Sequence, residues 1–195
     1  MRFRLPIYGL LLFSFLQGTP SSDLDSLKRG LEFFKWKKIE VELNQFQYGQ
    51  TYNSNLSVSF IDSLSYLIES SEQDIFISGN IIKTLNKLTK QLIIDERFSE
   101  DRDIFSIILG DLSGISISNK RNENGLITFS FEMKEIEMNG TISVNKENWH
   151  FENLNVDYDK DNWISLKVSA WQILRGSYSF STFGKEAVEV IDLRE

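Results

Sequence analysis

The sequence predicts an α+β fold, with an N-terminal helix and hairpin, central helices, and a C-terminal antiparallel meander packed against those helices. Three observations lead there. Residues 125–170 form four short runs of alternating apolar and polar residues, whereas residues 24–34 and 81–92 carry apolar residues at helical spacing. Strand–helix–strand alternations are too few for the runner-up, a parallel α/β sheet.

In chain order, Ser22 is placed to cap a helix with Asp25 at its third position, and Leu24, Leu27, Leu31 and Phe34 recur along one face. Gly30 weakens the middle of that helix. From Trp36 the period changes to two. Ile39, Val41 and Leu43 alternate with Lys38, Glu40, Glu42 and Asn44, and after a polar break at 49–55 Leu56, Val58 and Phe60 resume the alternation. These runs predict a hairpin with a loop longer than the tightest types.

Residues 60–94 read as mainly helical. Leu64, Leu67 and Ile68 suit one short helix, residues 74–78 a very short strand, and Asn80 caps a second helix carrying Ile81, Leu85, Leu88 and Leu92. Ser99 opens another, with Glu100, Asp101 and Asp103 at its positive terminus, Ile104, Ile107 and Ile108 as its packing face, and Gly110 as its end. Ile115 and Ile117 give a short strand before a turn at 119–125.

The meander follows. Its apolar positions are Ile127, Phe129, Phe131 and Met133, then Ile142 and Val144, then Trp149, Phe151, Leu154, Val156 and Tyr158, and finally Ile164, Leu166 and Val168. A period of two with one apolar side is what an antiparallel sheet shows when one face meets the core. Val188 and Val190 predict a last edge strand, where neighbouring charges discourage aggregation.

Residues 1–18 resemble a secretory signal peptide. Arg2 and Arg4 precede an apolar run from about Ile7 to Leu16, which is shorter than the roughly 20 residues of a membrane-spanning helix. The expectation is a signal at 1–18 and a single soluble domain at 19–195, secreted or periplasmic, with no transmembrane anchor after cleavage. Losing Arg2 and Arg4 leaves 19 basic against 28 acidic residues and moves the formal charge from −7 to −9. So acidic a chain matches neither nucleic acid nor an anionic membrane surface. The chain has no cysteine, which rules out disulfides, thiolate metal sites and cysteine nucleophiles. Asn55 and Asn139 each open a glycosylation acceptor tripeptide.

The single histidine, His150, excludes a multi-histidine metal site, and alternation with Trp149 and Phe151 places it on the exposed sheet face. No nucleotide-binding glycine loop, zinc-protease motif or nucleophile elbow is present, so no catalytic residue is named. The one arrangement with metal chemistry is Asp157, Asp159 and Asp161 in a tight turn, which resembles the first half of a calcium loop. Asn162 stands at the usual glycine position and Val168 where the bidentate glutamate belongs. Calcium is thus the only cofactor entertained, and none is required.

Aromatic residues supply the remaining signal. Phe129, Phe131, Trp149, Phe151, Trp163 and Trp171 are candidates to line an apolar cavity, against the alternative that they fill the core. The functional expectation is an exported non-enzymatic binding or scaffold protein, whose partner is another protein or an apolar small molecule that it carries. A secreted hydrolase using an Asp/Glu pair, with or without calcium, is the alternative.

Overall fold

The computed structural model describes residues 20–31, 37–62, 64–97, 104–134, 137–159, 161–174 and 178–194. The chain order is α1 (Pro20–Leu31), β1 (Lys37–Gln47), β2 (Gln50–Phe60), β3 (Ser65–Glu69), β4 (Gln73–Ser78), β5 (Ile81–Asn86), β6 (Gln91–Glu96), α2 (Ile104–Ile108), β7 (Ser116–Glu123), β8 (Leu126–Met133), β9 (Met138–Asn145), β10 (Phe151–Asp159), β11 (Asn162–Ile173) and β12 (Glu189–Asp192). The described strands form one twelve-stranded sheet in the order β12-β6-β5-β4-β3-β2-β1-β11-β10-β9-β8-β7. One meander runs from β1 to β6 and another from β7 to β11, and the antiparallel pairing of β1 with β11 joins them. Among the described strands only β12 pairs in parallel, along β6.

The core lies on one face of this sheet, called here the inner face. Leu43, Leu166, Leu154, Ile142 and Phe129 are successive cross-strand partners over five strands, and the last four are at most 1% exposed. Period-two alternation thus becomes transverse rows of apolar side chains. Both described helices pack on the same face, with Leu27 and Leu31 from α1 and Ile107 and Ile108 from α2 in one cluster with the sheet residues. At the edge of the row Lys120 Nζ sits 5.4 Å from the Phe129 ring and 2.6 Å from Asp23 Oδ1, linking β7 to the first turn of α1.

Beyond β2 the sheet is also covered on its outer face. Leu67, Phe76, Leu85 and Leu92 are buried, and Leu67 and Phe76 are direct partners on the side opposite Tyr66, Ile68, Ile75 and Ile77. The C-terminal segment supplies the cover. Phe180 and Phe183 meet Phe76 edge-on at 5.2 and 5.5 Å, and Lys83 Nζ donates to the Phe180 carbonyl at 2.7 Å. The chain then enters β12, the predicted edge strand.

The expected α+β architecture with central helices is overturned: the molecule is nearly all sheet, and residues 65–96 are the four strands β3 to β6. Short strands joined by tight turns put apolar residues from successive strands at intervals that imitate a helical period. Ile81 and Leu85 belong to β5 and Leu92 to β6, whereas Leu88 is 83% exposed in the turn between them. Asn80 does not cap a helix but follows Gly79 in the β4–β5 turn, and Asn86 Oδ1 accepts from the Leu88 and Thr89 amides, closing the next one. The strand foreseen at 74–78 is β4.

The hairpin loop is also shorter than expected. Tyr48 and Gly49 alone connect β1 to β2, both at positive φ (53° and 77°), the left-handed pair that two-residue hairpins use. The supposed polar break at 49–55 is the exposed first half of β2. Likewise β7 extends to Glu123, so the turn expected at 119–125 shrinks to Asn124 and Gly125. The helix predicted from Ser99 survives as α2, with Ile104, Ile107 and Ile108 buried and Gly110 at φ 90° behind it. The proposed signal at 1–18, Phe34, and Ser99 to Asp103 lie outside the described residues.

Candidate functional site

At one end of the inner face the apolar rows come out into solvent. Trp171 is the direct partner of the fully buried Ile39, and Ile173 that of Lys37, so both belong to the face that carries the core. Yet Trp171 is 46% and Ile173 68% exposed. They are the end of β11, which is longer than the predicted fourth run and carries an extra residue at the bulge where β1 passes from Glu40 to Val41.

Beside them lies the connection from β9 to β10. Asn145 Oδ1 accepts from the Glu147 amide at 2.9 Å, Asn148 Oδ1 accepts from the His150 amide at 2.9 Å, and Trp149 adopts a left-handed φ of 58°. This turn ends the alternation before β10 begins at Phe151, and it corrects the expectation that His150 is exposed. His150 is 8% exposed, with its ring edge-on to Trp171 at 4.2 Å between centroids. Burial, and to a smaller degree the charge of Lys37, lowers the His150 pKa from its ordinary value, while Glu152 opposes them. Lys37 Nζ lies 4.6 Å from the Trp171 ring centre, and burial lowers its pKa as well. A neutral imidazole, an indole and a partly desolvated ammonium therefore line the rim.

The indole of Trp149 turns back against α1. A Cβ at position 30 would stand 2.8 Å from Trp149 Cε3, so glycine is what lets helix and indole meet. Ser26, Arg29, Gly30, Asn148 and Trp149 wall a cleft of about 360 Å³, within the range of small-molecule sites.

The six aromatic candidates separate into three groups. Phe129, Phe131 and Phe151 are 0–2% exposed and fill the core. Trp149 and Trp171 reach the open end of the inner face. Trp163 alternates with Ile164 and points to the outer face, stacked with Phe46 at 6.3 Å. Sequence alternation identified the aromatic strands, but strand length, the bulge and the turn at Trp149 decided which rings meet solvent. Ile173 was missed as a site residue, although its position after Trp171 in the same parity was available.

Among the described residues no three His, Asp or Glu side chains converge on a metal-sized site. At the end of β10, Asp159 accepts from the Asp161 amide at 2.7 Å and from Asn162 Nδ2 at 2.6 Å. Those hydrogen bonds, the Asn162 side chain first, lower its pKa. Asp157 lies on β10, its partner across the sheet being Trp163. Asn55 and Asn139 are both exposed and both within strands, β2 and β9. No helix among the described residues is long and apolar enough to cross a membrane.

No protein-family model matches the chain, and no curated protein is similar to it in sequence. Solved structures do resemble it. An uncharacterized conserved protein from Thermus thermophilus aligns with a TM-score of 0.55 at 9% identity, covering 89% of this chain and 99% of that one. A LolA superfamily protein from Nitrosomonas europaea gives 0.45 at 9% identity over 82% and 96%. An outer membrane lipoprotein-sorting protein domain from Vibrio parahaemolyticus gives 0.46 at 8% identity over 84% and 95%. With identity this low and only the first score above one half, the finding is one of fold: this chain shares the architecture of the Thermus thermophilus protein.

Proposed function

We propose that this protein is an exported carrier of an apolar small molecule, which enters between α1, the β9–β10 turn and the end of β11. The observation that supports the reading is the exposure of Trp171 and Ile173 on the face that otherwise holds the core. Large apolar side chains placed together at the open end of a core face, beside a ligand-sized cleft, offer an acyl or aromatic group a path out of water. Burying about 100 Å² of apolar ligand surface there contributes roughly 2.5 kcal/mol. Lys37 at the rim suits a ligand with an apolar body and a polar or anionic end.

Binding of the naphthylamine probe N-phenyl-1-naphthylamine tests this. The expected result is saturable probe fluorescence, displaced by a long-chain fatty acid and weakened at least about tenfold, or roughly 1.4 kcal/mol, in a W171S/I173S variant of unchanged melting temperature. Equal probe affinity in wild type and variant, or no binding in either, removes the support for a carrier.

A further inference from the structure

The outer face holds a second cluster that an apolar carrier does not use. Trp163 and Phe46 are direct cross-strand partners, with rings within 13° of parallel at 6.3 Å. In the adjacent row Asn44, Ser165, Asn155 and Thr141 stand side by side on β1, β11, β10 and β9. The Ser165 hydroxyl donates to Asn155 Oδ1 at 2.7 Å, and Asn155 Nδ2 donates to Thr141 Oγ1 at 3.1 Å. Asp157, across from Trp163, has an exposed carboxylate with no hydrogen-bond or ion-pair partner among the described residues. Asn44, Asn155, Asp157, Trp163, Ile164 and Ser165 together wall a groove of about 480 Å³.

We propose that this groove is a binding site for a neutral carbohydrate, with Trp163 as its stacking platform and Asn44, Asn155, Ser165 and Asp157 as its hydroxyl partners. A pyranose ring has an apolar C–H face and a rim of hydroxyls that both donate and accept. The first matches an indole held in one orientation by Phe46. The second matches side chains that offer amide donors, amide and hydroxyl acceptors, and one carboxylate. The hydrogen bonds from Ser165 to Asn155 and from Asn155 to Thr141 fix the amide before any ligand arrives, which limits the ordering cost of binding.

Other ligand classes fit less well. An acyl chain would cover the Asp157 carboxylate, and the polar capacity of the row beyond its two internal hydrogen bonds, without supplying partners. A phosphate or other anion would meet Asp157, the only ionised group among the lining residues, on a chain of net charge −7. An extended peptide would need a free strand edge, and β1, β11 and β10 are each paired on both sides. The site rests on neither the carrier reading nor its residues, because Trp163 and Trp171 lie on opposite faces of the sheet.

The test is nuclear magnetic resonance of the isotope-labelled full chain titrated with glucose, N-acetylglucosamine, maltotriose and chitotriose. The expected result is saturable movement of the Trp163 indole N–H and the Asn44 and Asn155 side-chain amides with at least one of these sugars. Affinity should fall at least tenfold in Trp163→Ala and several-fold in Asp157→Ala, an exposed change that spares the fold. No movement at millimolar sugar overturns the proposal. So does movement of these resonances that Asp157→Ala and Trp163→Ala leave unchanged, or movement produced by the naphthylamine probe and by none of the sugars.

Discussion

A methyl group at position 30 would stand 2.8 Å from the Trp149 indole, and this sets two effects against each other. Replacing an interior helical glycine with alanine gains up to about 1 kcal/mol of helix propensity. Forcing a packed aromatic ring to move costs about 1–3 kcal/mol. For Gly30→Ala we expect the second to win, with a net loss of about 1 kcal/mol in denaturant unfolding and a shifted Trp149 indole resonance; a stabilised variant with that resonance unmoved would show that the contact does not constrain the helix. His150 gives a pH effect of defined sign. Its folded pKa lies below the ordinary 6.5, so the unfolded chain takes up the proton first as pH falls. Stability is therefore constant with respect to this group above about pH 6.5, declines below it, and levels off once pH is under the folded pKa. The melting temperature of the wild type should drop more between pH 7 and pH 5 than that of His150→Gln, and identical slopes would contradict the burial of a neutral imidazole.

The C-terminal segment behaves as a strap whose anchors are the edge contacts of Phe180 and Phe183 with Phe76, the Lys83 bond to the Phe180 carbonyl, and the pairing of β12 with β6. Removing residues 178–195 would uncover Phe76, Leu85 and Leu92 and free the hydrogen-bonding edge of β6. An exposed apolar patch on an open strand edge is an aggregation site. We expect the truncated protein to bind the dye ANS, to melt at least several degrees lower, and to self-associate in sedimentation velocity. A monomer with unchanged melting would mean that the strap contributes nothing to the sheet. At this scale the sequence was partly legible. The strands of the meander and the edge strand around Val190 follow from alternation, and α2 follows from Ile104, Ile107 and Ile108. Strands β3 to β6 did not, because an apolar residue in each of several short strands can fall at the same spacing as one helix face.

At the scale of the whole molecule, the two meanders share one face, and the helices rest on it instead of separating the strands. The carrier reading and the carbohydrate groove occupy opposite faces, so the naphthylamine and sugar titrations should be independent. Saturating one should leave the other's affinity within about twofold, equivalent to a coupling of less than roughly 0.4 kcal/mol. Strong coupling would point to a rearrangement of β11, which contributes Trp163 at one end and Trp171 at the other.

Composition and pattern by themselves determined several properties: an acidic chain with a core-sized apolar fraction, no disulfide, and a four-run meander with one apolar side. Those properties depend on residue type and local period, which are visible in one dimension. The tertiary structure decided the class of the fold, the face on which each aromatic lies, and the burial of His150. Phe129 and Trp163 occupy strands of the same kind, yet one is buried in the core and the other borders a groove, because a change of parity inverts the face and only pairing fixes the register. The extra residue in β11 and the left-handed Trp149 act in the same way: each is a local break in period whose consequence depends on the strand or helix that happens to lie across from it.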